Sequence, residues 1–233
     1  ACAGCGTCAA ECKFGAIVMR HFSDQAIYAQ IDAILEEDSL DKIVAFACNW
    51  CSYAGADTAG VSRMAYPPNA RIIRTMCSGR VNPEFIWHAF KKGAPVVLVS
   101  GCHYVDCHYM DANRSTMRRL DGLWDGLEKT GLRPGRLMLE WCSAAEGARW
   151  QNTMLEAEIR RQSVTPEELS HTQEVLAEIK VPSPRTPRPT DENKQATFAC
   201  VRCGAEWQDR YGSNTERICP QCRSNSVRWM RGK

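Results

Sequence analysis

The chain has 233 residues, a formal net charge of +2, 44% hydrophobic residues and 24% charged ones. That balance suits a soluble globular chain and argues against a dedicated nucleic-acid or membrane binder. The longest apolar runs, Ile43 to Ala47 and Val96 to Val99, are far too short to span a bilayer.

Fourteen cysteines are a large excess for this length. No apolar signal region opens the chain, and its helix and strand patterns are long enough to build a core. The excess therefore predicts metal-bound thiolates in a reducing cytoplasm, not a secreted disulfide scaffold. The chain begins inside a cysteine motif without an initiator Met, which predicts a processed or truncated piece with more sequence upstream.

In chain order, Ala16 to Met19 reads as a short extended run. Ser23 then caps a helix over Asp24–Glu37, with Ile27, Ile31, Ile34 and Leu35 on one face. Short apolar runs alternate with helical patterns after that. Strands are expected at Lys42–Ala47, Arg71–Thr75, Pro95–Val99 and Arg136–Leu139, and helices at Thr58–Met64, Pro83–Lys92 and Ala112–Thr130. This alternation implies an α/β fold with a small parallel four-stranded sheet. Residues 144–180 read as helical, with Thr165-Pro166-Glu167-Glu168 as a start signal. Four prolines among polar residues mark a linker. The expected organisation is an iron–sulfur segment with its helix (1–38), a central domain with a helical tail (39–180), a Pro-rich linker (181–195) and a zinc ribbon (196–233).

The cysteines fall into three groups. Cys2, Cys5, Cys8 and Cys12 have the C-x2-C-x2-C-x3-C spacing of bacterial ferredoxins, which hold a 4Fe–4S cluster. Gly4 and Gly6 allow the tight turns that bring thiolates around one cluster. Lys13 replaces the usual Pro, and no second half-motif is present, so Cys12 either closes a single cluster or is left over. Cys200, Cys203, Cys219 and Cys222 form two C-x2-C knuckles, the signature of a structural zinc site. A rubredoxin-like iron site is the alternative. Arginines and aromatic residues in this module fit a docking face or, less well, a nucleic-acid surface.

The middle group is defined by position. Cys48 and Cys51 follow the first strand, Cys77 the second, Cys102 and Cys107 the third and Cys142 the fourth. In a parallel sheet these ends share one edge, where ligands bind. A cluster uses these thiolates better than a Cys48/Cys51 dithiol, which leaves the others idle. His103 and His108 are candidate ligands or hydrogen-bond donors to sulfur. Arg80 is a candidate counter-charge, and Cys142 is either a ligand or a small buried hydrophobe. Trp50 and Trp141, beside cluster cysteines, are candidates to shield iron.

The segments CNWCSYAGAD (48–57), YPPNARIIRTMCSGRVNP (66–83), GCHYVDCHY (101–109) and LEWCSAAEG (139–147) resemble the delta subunit of methyl-viologen-reducing hydrogenase. The resemblance implies a 2Fe–2S cluster carried by the positions Cys48, Cys51, Cys77, Cys102 and Cys107. It also implies a role linking a hydrogenase to heterodisulfide reductase. The N-terminal segment is similar to the carboxyl-terminal ferredoxin region of the flavin-bearing heterodisulfide reductase component, which implies a gene fusion. No paired carboxylates, nucleophile elbow or phosphate loop points to bond chemistry. The expected function is electron transfer through 4Fe–4S and 2Fe–2S clusters, with zinc in the ribbon. The expected partners are heterodisulfide-reductase-like subunits and hydrogenase or formate dehydrogenase subunits, with no membrane. The rival classes are a thiol–disulfide oxidoreductase and a zinc-ribbon regulator that binds nucleic acid.

Overall fold

The first strand, β1 (Ile43–Cys48), is buried along its whole length, as a central strand covered on both faces must be. It lies between β2 (Ala70–Thr75) and β3 (Val96–Gly101), and β4 (Leu137–Trp141) completes a parallel sheet of order β2-β1-β3-β4. A computed structural model describes residues 2–178, 195–212 and 215–230. The Pro-rich linker falls almost entirely outside them, and Gln195 already belongs to the next strand.

Side chains alternate across the sheet. Val44, Phe46, Val97, Val99, Leu137 and Leu139 face helices α2 (Asp24–Leu35), α4 (Pro83–Lys91) and α5 (Ala112–Lys129). Ile43, Ala45, Ala47, Val96 and Leu98 face α3 (Ser52–Val61) and α6 (Gly147–Gln162). A further helix, α7 (Pro166–Glu178), buries Leu176 in the first layer. The expected caps are in place: Ser23 accepts from the Ala26 amide at 3.2 Å and Thr165 from the Glu168 amide at 3.3 Å.

One helix sits six residues upstream of its expected start. The segment expected at Thr58–Met64 is Ser52–Val61, because α3 packs through Ala56 and Ala59 and carries no stripe of large apolar residues. Its first turn is tied to the strand before it: the Cys48 amide donates to the Ser52 hydroxyl at 2.9 Å. The fourth strand begins one residue late because Arg136 turns inward. Its guanidinium donates to the carbonyls of Ala94 and Pro95, each at 2.8 Å, and to Thr172 at 2.6 Å.

The C-terminal module is an antiparallel sheet of order β6-β5-β7, from β5 (Gln195–Cys200), β6 (Glu206–Arg210) and β7 (Val227–Met230). Its small core holds Phe198, Tyr211 and Val227 beside Cys200 and Cys219. The module is not a detached appendage. The Ser226 hydroxyl accepts from the Leu139 amide and donates to the Leu139 carbonyl, both at 2.9 Å, so it occupies a pairing position on the β4 edge. Arg217 pairs with Asp121 at 2.8 Å, Arg228 with Glu128 at 2.6 Å and Arg202 with Glu156 at 2.6 Å.

Candidate metal centres

The strand order reverses between β1 and β3, and the loops after those strands meet at the carboxyl edge of the sheet. Cys48, Cys51 and Cys102 are buried there, with Cys107 packed against them. The Cys48 and Cys102 sulfurs are 3.8 Å apart, and Cys51 and Cys102 are joined as a disulfide. Cys77, after β2, is buried, and its sulfur is near enough to those of Cys48 and Cys107 to interact with both. All five sulfurs thus form one continuous group drawn from three loops.

Backbone amides point at this group. Those of Trp50, Cys51 and Ser78 reach Cys48, those of Tyr109, Ala112 and Asn113 reach Cys107, and that of Gly79 lies 3.4 Å from the Cys77 sulfur. Hydrogen bonding from Cys77, with help from these amides, outweighs burial and lowers Cys48 to about 7 and Cys107 to about 6. The Cys77 thiol is pushed up, first by the hydrogen bonds from Cys107 and Cys48, then by burial. A crowded, amide-lined set of sulfur donors with no carboxylate among them suits a soft, thiolate-bound centre and not a hard cation. Iron ligation by Cys51 or Cys102 requires their bond to be open.

Cys142 does not join the group. It is buried against the α3/α6 layer, its sulfur points at the carbonyls of Ser143 and Glu146, and burial raises its thiol to about 12. That is the behaviour of a small buried hydrophobe. Nor does Cys48 pair with Cys51 as a C-x-x-C dithiol, since Cys51 is bonded to Cys102 from a different loop.

Neighbouring residues take specific places. Both ring nitrogens of His103 meet carboxylates, Glu146 at 2.8 Å and Glu216 at 3.0 Å, so neither is available as a ligand. His108 stacks on Trp50 with centroids 4.0 Å apart, and Trp50 Nε1 donates to the Tyr109 hydroxyl at 2.9 Å. Trp50 is partly exposed over the cysteine loops, and Trp141 is buried in the core. Arg80 is fully buried, not on the surface; it pairs with Asp24, donates to the Phe22 carbonyl at 2.9 Å and lies over Phe85.

Among the described residues, the ribbon cysteines alone lie within 4.8 Å of one another, the spacing for a single ion; Cys2, Cys5, Cys8 and Cys12 form no group that compact. A short helix, α1 (Thr7–Glu11), carries Cys8. Amides of Phe14, Ala16, Ile17 and Gly15 fold over the Cys12 sulfur and lower its pKa. The segment is nevertheless seated on the central domain. Gly6 has φ +81°, and a Cβ there would strike Met19 and Arg80. A Cβ on Gly79 would strike Thr7 and come within 3.1 Å of Ala112. Glu11 meets Arg119 at 3.0 Å, and Arg119 donates to the Gly79 carbonyl at 2.7 Å. Burial raises the Tyr109 phenol, and the hydrogen bond from Trp50 opposes that shift.

In the ribbon, Cys200 and Cys222 are 3.6 Å apart, as are Cys203 and Cys219, and all four sulfurs lie within 4.8 Å of one another. A tetrahedron of thiolates with Zn–S bonds of ~2.3 Å places sulfurs about 3.8 Å apart, so the site fits a four-coordinate metal. The two knuckles match. The Gly204 amide donates to the Cys200 carbonyl at 2.9 Å, and the Arg223 amide to the Cys219 carbonyl at 3.0 Å. Gly204 (φ +75°) and Arg223 (φ 63°) occupy the same left-handed position, one at no cost and one with strain.

The ribbon's docking to the domain was not legible in the sequence. Three of its arginines, Arg202, Arg217 and Arg228, face carboxylates of the central domain. This draws cations away from the nucleic-acid surface that the composition allowed; Arg231 and Lys233 lie outside the described residues. Among the described residues, no helix is long and apolar enough to cross a membrane.

The middle cysteine loops lie inside a region that matches known proteins. Residues 43–161 match the family of the methyl-viologen-reducing hydrogenase delta subunit. The chain is 56% identical over 113 residues to the vhc iron-sulfur protein of the F420-non-reducing hydrogenase of Methanococcus voltae, covering 48% of this chain and 78% of that one. It is 45% identical over 122 residues to the corresponding hydrogenase iron-sulfur protein of Archaeoglobus profundus, covering 52% and 89%. Against a component of the Ferredoxin:CoB-CoM heterodisulfide reductase of Methanosarcina mazei it is 48% identical over 185 residues, 66% of this chain but 23% of that one. The chain thus spans about a quarter of the reductase relatives and most of the hydrogenase ones, a pattern consistent with a fusion. With its cysteine loops lying inside the matched region, the chain belongs to the methyl-viologen-reducing hydrogenase delta-subunit family.

Proposed function

We propose that this chain is an iron–sulfur electron-transfer module. It relays electrons between a hydrogenase or another dehydrogenase, such as a formate dehydrogenase, and a heterodisulfide-reductase-like partner in the cytoplasm. The middle cysteines, four of Cys48, Cys51, Cys77, Cys102 and Cys107, hold a 2Fe–2S cluster. Cys2, Cys5 and Cys8, with or without Cys12, hold a 4Fe–4S cluster. Cys200, Cys203, Cys219 and Cys222 hold a structural zinc. The clusters supply one-electron redox chemistry, and the protein supplies their spacing, burial and hydrogen bonds.

One observation carries this reading: the N-terminal cysteine segment is seated on the turn that follows Cys77. Gly6 and Gly79 remove side chains where the two segments touch, and Glu11 pairs with Arg119 across the same contact. Backbone amides around Cys48, Cys77 and Cys107 favour the thiolate forms that bind iron. Trp50, stacked on His108, covers part of the loops and limits water near them. A dithiol reading leaves Cys77 and Cys107 without a role, and three ribbon arginines are already paired with carboxylates of the central domain.

Metal and sulfide analysis with EPR of the reduced protein tests the proposal. Anaerobically purified chain is expected to be brown, with about six irons and one zinc per chain if both clusters are complete. A colourless, iron-free protein that resists reconstitution sinks it.

A further inference from the structure

Glu216 belongs to the ribbon, three residues ahead of Cys219, yet its carboxylate is spent on the central domain. It accepts from the Tyr104 amide at 3.2 Å and meets His103 Nδ1 at 3.0 and 3.1 Å. Asn225 fixes the carboxylate from behind, donating to it at 3.0 Å and to the Arg217 carbonyl at 3.0 Å. His103 and Tyr104 directly follow Cys102 and open the turn Tyr104–Asp106 that leads to Cys107.

The domain itself holds this loop from the other side. Asn113 donates to the carbonyls of Cys102 and His103, each at 3.0 Å, and Glu146 meets His103 Nε2 at 2.8 Å. The ribbon is anchored independently on β4 by Ser226 on Leu139, while the Trp141 amide donates to Asn225 at 3.4 Å. Trp141 pairs in register with Gly101, the residue before Cys102. The ribbon therefore grips the stem of the cysteine loop and, through Glu216, the loop itself.

We propose that the ribbon is a positioning element for the middle cysteine centre, with Glu216, carried beside the second metal knuckle, holding the Cys102–Cys107 loop and setting the centre's surroundings. The inference rests on the reading that the middle cysteines hold an iron–sulfur cluster. Glu216 pairs with His103 next to Cys102, so removing the carboxylate changes both charge and hydrogen bonding around the centre and shifts its potential. Opening the ribbon frees the same loop by removing the support for Glu216.

The test uses the full chain with Glu216→Gln, Glu216→Asp and Cys219→Ser. Redox titration is followed by EPR, and amide hydrogen exchange is followed at Tyr104. Glu216→Gln is expected to keep its iron and zinc, to shift the midpoint potential of the middle centre, and to change its g-values. Exchange at Tyr104 should quicken by about tenfold or more, the factor for losing a hydrogen bond to a charged group. Glu216→Asp should return part of each change, and Cys219→Ser should reproduce the faster exchange. Unchanged potential, g-values and Tyr104 protection in both Glu216→Gln and Cys219→Ser overturn the proposal. A wild-type chain without a middle-centre signal defeats the cluster reading instead, and Tyr104 exchange then still decides whether the ribbon holds the loop.

Discussion

Two charged side chains, Arg136 and Glu158, show how charge is accommodated inside this chain. Arg136, with two backbone carbonyls and Thr172 as partners, is held down to about 10 by desolvation, yet it stays paired at every branch that the strand ends offer. Glu158 is the counterpart on the acidic side. It accepts from Arg161 at 2.7 and 2.8 Å, from Asn69 at 2.7 Å and from Gln162 at 2.7 Å, and these donors, Arg161 foremost, hold it down to about 2. A carboxyl whose folded pKa is depressed stabilises the fold above its unfolded value and loses that contribution as pH falls. Stability should therefore decline between about pH 4.5 and pH 2, by about 1–2 kcal/mol for this group after allowance for screening. Urea melts at graded pH should show that decline reduced in Glu158→Gln, and an identical acid limb in both proteins counts against the assignment. None of these roles was legible in the sequence, because Arg80, Arg136 and Glu158 carry no local pattern that distinguishes a buried charge from a solvated one.

At the scale of elements, what could be read was periodic or punctuated. Strands β1 and β3 are continuous apolar runs, α5 has a clear stripe from Met117 to Leu127, and Ser23, Pro83 and Thr165 mark helix starts. The convergence of the middle cysteines followed from placing each at the end of a parallel strand. What could not be read depended on small residues. Helix α3 packs through alanines, and the seating of the N-terminal segment depends on missing Cβ atoms at Gly6 and Gly79. Gly6→Ala should be costly twice, through its left-handed backbone and through collision with Met19 and Arg80. The expected outcome is a released N-terminal segment, seen as faster limited proteolysis before Asp24 with little change in the melting of the sheet. Equal cleavage rates would mean that the segment is held by other contacts.

At the scale of the molecule, two cysteine groups lie at opposite ends of the chain and flank a third in the middle. The sequence suggested separable modules joined by a linker. The structure instead packs both ends onto the sheet domain, through Glu11 and Arg119 on one side and through Arg202, Arg217 and Arg228 on the other. Three of those pairs join residues 108, 96 and 100 positions apart, a separation at which no local pattern reveals a partner.

The Ser226 contact on Leu139 has a consequence for handling and supply. It covers the outer edge of β4, leaving β2, with its outward Arg71 and Arg74, as the other edge of the sheet. An uncovered apolar edge strand is a template for pairing with further copies, and a charged one resists it. If the ribbon holds zinc as proposed, the metal becomes a condition of solubility. Chain prepared without zinc should scatter light on concentration, and zinc restored before concentration should prevent it. A zinc-free preparation that stays monodisperse would show that the edge is guarded by something else.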